Sequence, residues 1–264
     1  MNNMNHTIRF DNGAAYERYM GQWSQLVGEE FLGWLAPAPG LRWLDVGCGN
    51  GAFTEMIAAR CAPVALMGVD PSEAQLAFAR SRPALQGARF EPADAMALPL
   101  PDDSVDMAVM PLVLFFVPEP ARGVAEMARV VAPGGTVAAY SWDMEGGGFP
   151  YAVLRAELER LGARTPGAPS DDASRLDVSQ RLWQSAGLQA IETRRITVQR
   201  TFADFDEYWN IIAGGPSVGA TLKALSQRNA ALLQDQLRLR LPADDAGRIT
   251  YSSTANAVKG RVPD

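Results

Sequence analysis

The run Leu41-Arg42-Trp43-Leu44-Asp45-Val46-Gly47-Cys48-Gly49-Asn50-Gly51 sets a short apolar pattern against one acid and three glycines at alternate positions. It reads as a strand entering a tight turn, because Gly47, Gly49 and Gly51 permit positive φ and let a ligand come close to the backbone. The periodic stretch Ala52 to Ala62 reads as the helix packed behind that turn. A strand, a glycine turn and a helix in this order predict a bound cofactor.

The spacing alone leaves two kinds of cofactor open, since Gly47 to Ala52 also satisfies the loose dinucleotide pattern G-x-G-x-x-A. Asp45 separates them. A carboxylate ending the strand repels a pyrophosphate, whereas S-adenosylmethionine has no phosphate and carries an ammonium and a sulfonium that an acid attracts. With these residues in place the chain resembles the class I S-adenosylmethionine-dependent methyltransferases, in the small-molecule branch with a type 11 methyltransferase domain. The resemblance runs from about Tyr16 to Trp142. It implies an α/β fold: a doubly wound, mostly parallel seven-stranded sheet of Rossmann-like type, with one reversed edge strand and a helical cap. It also implies S-adenosyl-L-methionine as cofactor, a small-molecule methyl acceptor, and cofactor contacts from Asp45, Gly47, Cys48, Gly49 and Gly51.

Composition bounds the remaining classes. A chain of 264 residues with 47% hydrophobic content can bury a full core. A net charge of −6 leaves no electrostatic footprint for nucleic acid or an anionic membrane. All but Lys223 and Lys259 of the 24 basic residues are arginines, a bias without chemical meaning here. Two cysteines, Cys48 and Cys61, form no disulfide framework and no metal spacing, which fits a reducing, cytoplasmic setting. The lead Met1 to Asn12 has no apolar core of signal length, and no run approaches the ~20 apolar residues of a membrane span. The single histidine, His6, lies in this lead, which removes histidine-based triads and metal sites. The expected organisation is a disordered lead over 1–13 and one domain over 14–264, with cap elements near 14–35, 144–187 and 203–241.

Along the chain, Ala14 to Leu35 keeps apolar residues at helical spacing and is closed by Pro37 and Pro39. By resemblance its front folds over the cofactor through Tyr19 and Trp23; the same spacing also suits plain core. A second strand, Ala65 to Val69, ends in Asp70, and Pro71-Ser72 starts a helix with Ser72 as N-cap. An acid there can bridge both ribose hydroxyls, with Pro71 beside it. Ala88 to Pro92 forms a third strand, followed by Asp94 and Ala95, where similar proteins bind the adenine amino group; Asp102 and Asp103 read as solvated. Val105 to Leu112 gives the fourth strand.

Leu112, Phe115 and Phe116 follow in a segment that by resemblance borders the cofactor's methionine part and the substrate. An amphipathic helix over Glu119 to Ala132 leads through Pro133-Gly134-Gly135 into the strand Thr136 to Trp142, whose carboxyl end offers Trp142 and Asp143 to the same sheet edge. Helices are predicted over Tyr151 to Leu161, Val178 to Ala186, a face carrying Phe205, Tyr208, Trp209 and Ile212, and one long helix from Val218 to Leu241. Ala163 to Ser174 reads as a link. Leu188 to Thr201 and Arg248 to Val258 read as strands. Trp209, with Phe115, Phe116 and Trp142, is a candidate substrate contact. No catalytic base stands out; Asp143, Glu145 and Tyr19 are only polar groups near the expected site, so methyl transfer has to rest on positioning.

Overall fold

The structure, a computed structural model, describes residues 17–163, 167–215, 218–241 and 243–264. The lead over 1–13 with His6, Tyr16 at the front of the first helix, residues 164–166 of the link and Pro216 lie outside them. A single π turn, Glu17–Gly21, opens the described chain and runs into α1, Gln22–Leu35. There follow β1 Arg42–Val46, α2 Ala52–Arg60, β2 Ala65–Asp70, α3 Glu73–Ser81, β3 Arg89–Pro92, β4 Val105–Pro111, α4 Pro120–Val130 and β5 Val131–Trp142. The second half holds α5 Ala152–Arg160, α6 Leu176–Ser185, β6 Gln189–Phe202, α7 Phe205–Ala213, α8 Gly219–Ala224, α9 Gln227–Arg240 and β7 Ile249–Arg261.

These strands form one seven-stranded sheet in the order β3-β2-β1-β4-β5-β7-β6, in which β3 through β5 pair in parallel and β7 runs antiparallel to both neighbours. The reversed strand is therefore not the edge strand that was expected. It is inserted between β5 and β6, and β6 takes the edge. Each face of the sheet is covered by its own buried cluster. One gathers Trp23, Val27 and Phe31 of α1 with Ile57 of α2, Leu76 of α3, Tyr140 and Trp142 of β5 and the inner residues of β6 and β7. The other gathers Val124, Met127 and Val130 of α4 with Trp183 of α6, Leu44, Val46, Ala108 and Met110. Strands buried on both sides read as unbroken apolar runs rather than alternations, as β1, β2 and β4 do.

Three boundaries differ from the sequence reading, each for a local reason. The long helix expected to Leu241 is two helices, broken at Leu225, where Ser226 caps α9 by accepting the Asn229 N–H at 3.2 Å. β5 begins at Val131, which pairs with Val105 of β4 ahead of a bulge, and within that bulge Gly134 donates to, and Gly135 accepts from, the backbone of Val262. β7 extends to Arg261, held by the same ribbon. Arg129, in the segment read as structural, gathers Glu126 at 2.7 Å, Asp102 at 2.7 Å and the Leu98 and Leu100 carbonyls, so Asp102 is ion-paired rather than merely solvated.

Candidate active site

The chain reverses its direction of travel across the sheet between β1 and β4, and a cleft of about 1020 Å³ opens outside their carboxyl ends. Ligands of open α/β sheets occupy this switch point. Its floor is the glycine turn. Gly47 (φ +74°) and Cys48 donate their N–H groups to the Val69 carbonyl at 2.7 and 2.9 Å, which fastens the turn to β2. A Cβ on Gly47 would lie 2.6 Å from both methyls of Val113, so the turn and the β4 loop are in contact there. A Cβ on Gly49 (φ +52°) would meet nothing within 4 Å and would enter the cleft. Gly51 (φ +80°) is different: it begins α2 against Leu85 and Ala79 and does not line the cleft, so its role is the turn itself.

Asp70 lies beside the glycine turn on the cleft floor, next to Pro71, also a cleft residue. Its Oδ2 accepts the Gly49 N–H at 3.0 Å and its Oδ1 the Ser72 N–H at 2.9 Å, so the acid ties the two turns together while each oxygen keeps a lone pair for a further donor. Burial pushes its carboxyl above the ordinary value, and the two N–H bonds oppose that shift. The far wall is apolar: Pro111, Leu112, Val113, Phe116 and Tyr140. Leu112 holds φ +61°, a left-handed conformation costing an L-residue roughly 1 kcal/mol or more, and it does so at the cleft edge with its N–H on the Tyr140 carbonyl at 2.7 Å.

Several candidates fall elsewhere. Asp45 does not face the cleft. It is fully buried beneath the turn, its Oδ2 accepting the Thr54 hydroxyl at 2.6 Å and its Oδ1 without a partner. Burial lifts its pKa to about 7, the Thr54 bond opposes this and the Asp70 charge adds to it. Any attraction it exerts on a cation acts through the backbone of the turn. Asp94 is exposed and closes its own loop on the Met96 N–H at 2.8 Å, with Ala95 beside it; neither borders the cleft. Phe115 and Trp142 are buried in the core, and Trp209 stacks on Phe205 in α7, away from the cleft. Tyr19 and Trp23 are core residues as well, Tyr19 stacked on Tyr151 at 4.4 Å and Trp23 packed on Tyr251 at 5.2 Å. The other side of the same segment, Gly21, Gln22, Ser24 and Gln25, is what borders the cleft.

Among the contributors that the sequence does not reveal is a cation at the rim. Arg82, beyond α3, donates to the Asn50 carbonyl at 2.6 Å, to Glu55 at 2.6 Å and to Glu17 at 3.0 Å. It clasps the π turn to the glycine turn at the rim. No motif marks it, since its partners come from three separate segments.

Two carboxylates, Asp45 and Asp70, thus underlie one cleft with no ion-pair partner for either among the described residues, which suits a cationic ligand and disfavours a pyrophosphate. A mostly parallel sheet in this order, with this turn at its switch point and an acid ending β2, is the Rossmann-like fold of the class I methyltransferases. Comparison with known proteins agrees. The family model described as a methyltransferase domain matches residues 44–139. A malonyl-[acyl-carrier protein] O-methyltransferase of Methylococcus capsulatus is 35% identical over 228 residues, 84% of this chain and 73% of that protein. A trans-aconitate 2-methyltransferase of Variovorax paradoxus is 34% identical over 127 residues, 48% of each chain. A phosphoethanolamine N-methyltransferase 2 of Haemonchus contortus, solved with phosphomonomethylethanolamine and S-adenosylhomocysteine, shares the fold at TM-score 0.62 and 18% identity, over 99% of this chain and 60% of that one. The chain belongs to the class I S-adenosylmethionine-dependent methyltransferases, and S-adenosylmethionine is its cofactor. The dinucleotide cofactor that the glycine spacing alone also allows, and with it a nucleotide-dependent oxidoreductase, is set aside by this membership. No helix among the described residues is long and apolar enough to cross a membrane.

Proposed function

We propose that the protein transfers the cofactor's methyl group to a small-molecule acceptor by in-line displacement, with the cofactor seated over the Gly47 to Gly49 turn and Asp70. The observation that carries this reading is the division of the cleft into a polar, acidic floor and an apolar wall of Leu112, Val113, Phe116 and Tyr140. The bound cofactor supplies an activated methyl on a sulfonium, so the acceptor–carbon bond forms as the carbon–sulfur bond breaks. Asp70 has the free lone pairs and the position to accept both ribose hydroxyls. The apolar wall excludes water and fixes the line of approach, and neither task needs a general base. None of the polar groups considered for that role reaches the cleft: Asp143 caps its own loop on the Gly146 N–H, Glu145 pairs with Arg175, and Tyr19 is stacked in the core. The helices before β1 and after β5 act as the cap in this reading.

The relatives act, by their names, on a malonyl group on a carrier protein and on trans-aconitate. Both names point toward carboxylic acids as the first acceptors to try. Methyl-labelled S-adenosylmethionine with an acceptor panel provides the test. Label transfer coupled to S-adenosylhomocysteine release, above the rate without acceptor, is expected for at least one small molecule. Tight binding of the cofactor with no turnover on any small molecule would favour the alternative, a cofactor-binding protein without methyl transfer.

A further inference from the structure

The β6–β7 ribbon outruns the rest of the sheet. Trp142, the last residue of β5, pairs with Ala255, whereas Arg200 pairs with Tyr251, four residues further along β7 and about 13 Å past the sheet's carboxyl edge. Alternation puts Tyr251, Ser253 and Ala255 on one face, and cross-strand pairing adds Arg200 and Trp142 to it. Trp23 of α1 packs against the same face. Here the structure gathers buried polar atoms that find no partner, Arg200 Nε and Nη1, Tyr251 Oη, Ser253 Oγ and Trp142 Nε1, beside the Trp23 indole, whose N–H is turned to the Tyr151 hydroxyl.

Every one of these groups can donate a hydrogen bond, and the tryptophan and arginine nitrogens can do nothing else. Arg200 is only 6% exposed and forms no ion pair among the described residues. Its compensation within the chain is the face of Phe202 at 4.3 Å and the hydroxyl of Tyr151, which itself donates to the Tyr19 carbonyl at 2.6 Å. A buried cation among orphaned donors is costly unless an anion joins it. The cover over this group is made by cap segments: Tyr19 of the π turn stacks on Tyr151, and Tyr208 of α7 meets Tyr251 edge-on at 6.4 Å.

We propose that these donors seat a carboxylate of the methyl acceptor, with Arg200 as its counter-ion and Trp23, Trp142, Tyr151 and Tyr251 around its apolar body. The proposal rests on the methyl-transfer reading of the cleft. The donor cluster adjoins the cofactor cleft along β5, since Trp142 follows two residues after Tyr140 on the same face and Tyr140 walls that cleft. One arginine balances one negative charge, which selects a carboxylate over a phosphate monoester carrying about two. The carboxylate is held as a handle, leaving another part of the acceptor to face the methyl group.

Calorimetry on the full chain saturated with S-adenosylhomocysteine tests this with benzoate, phenylacetate, cinnamate and hexanoate, each beside its primary amide, and with phenyl phosphate. At least one acid is expected to bind at millimolar concentration or better, at least about tenfold tighter than its own amide and tighter than phenyl phosphate. Arg200→Gln should abolish that preference, Arg200→Lys should keep part of it, and both should bind S-adenosylhomocysteine as the unaltered protein does. The acid-to-amide comparison needs no variant, so a misfolded Arg200→Gln leaves it intact. Amides binding as well as acids, phenyl phosphate binding in their place, no acid binding at all, or a folded Arg200→Gln retaining the preference would each overturn the proposal. Failure of S-adenosylhomocysteine to bind would instead strike the methyl-transfer reading beneath it.

Discussion

At the scale of single residues, the three glycines of the turn do different jobs that one substitution apiece can separate. Gly47→Ala drives a methyl against Val113 at a positive φ, so it should lower stability by at least about 2 kcal/mol in denaturant titration. Gly49→Ala meets only the left-handed backbone cost of about 1 kcal/mol, and should fold yet bind the cofactor poorly because its methyl enters the cleft. Asp70→Ala should weaken S-adenosylhomocysteine binding by about 2 kcal/mol, roughly thirtyfold, in calorimetry. Asp45 gives a pH signature. Its carboxyl titrates near 7 in the folded chain against an ordinary 3.8, so the folded state binds the extra proton between those values. The stability contributed by the neutral acid is fully present below about pH 4, falls as pH rises, and is gone above about 7. The stability of the wild type relative to Asp45→Asn should therefore fall by a few kcal/mol across that window, and a flat difference would contradict the burial argument. The acid itself was legible in the sequence. Its direction was not, because a strand covered on both faces carries no alternation to say which side a residue takes.

At the scale of elements, Arg82 joins three segments at the cleft rim, and its removal should uncouple the π turn from the glycine turn. The fold should lose only about 1 kcal/mol, since Glu17 and Glu55 are well exposed and the pairs are screened. Hydrogen exchange of Glu17 to Gln25 should nevertheless speed up in Arg82→Ala, with protection elsewhere unchanged. Short-range pattern made the glycine turn, Asp70 and the strands readable, for a turn and its neighbours are written in consecutive residues. Arg82, Tyr140 and Gln25 were not readable as cleft residues, because only the topology brings them there. The place of β7 was hidden likewise, since periodicity tells that a segment is a strand and not which neighbours it will pair with. Tyr19 and Trp23 show how far an aromatic helix face can be read: the segment does border the cleft, but its rings turn to the core and its small and polar residues face the ligand space.

At the scale of the whole molecule, the parallel half supplies the cofactor cleft, and the later helices with the β6–β7 ribbon build a second wall above the sheet edge. The first half was legible down to individual residues because its motifs are local. The second half yielded only a helix and strand pattern. Its donors left without partners lie where β5, β6 and β7 converge beneath α1, a property of packing that no linear pattern records. The central claim is that the cofactor occupies the switch point between β1 and β4. Hydrogen exchange of the full chain with and without S-adenosylhomocysteine tests it most directly. New protection is expected at 47–51, 70–72 and 111–113, extending to 17–25 as the rim closes; protection confined to other segments, or none at saturating ligand, would contradict cofactor binding at this switch point.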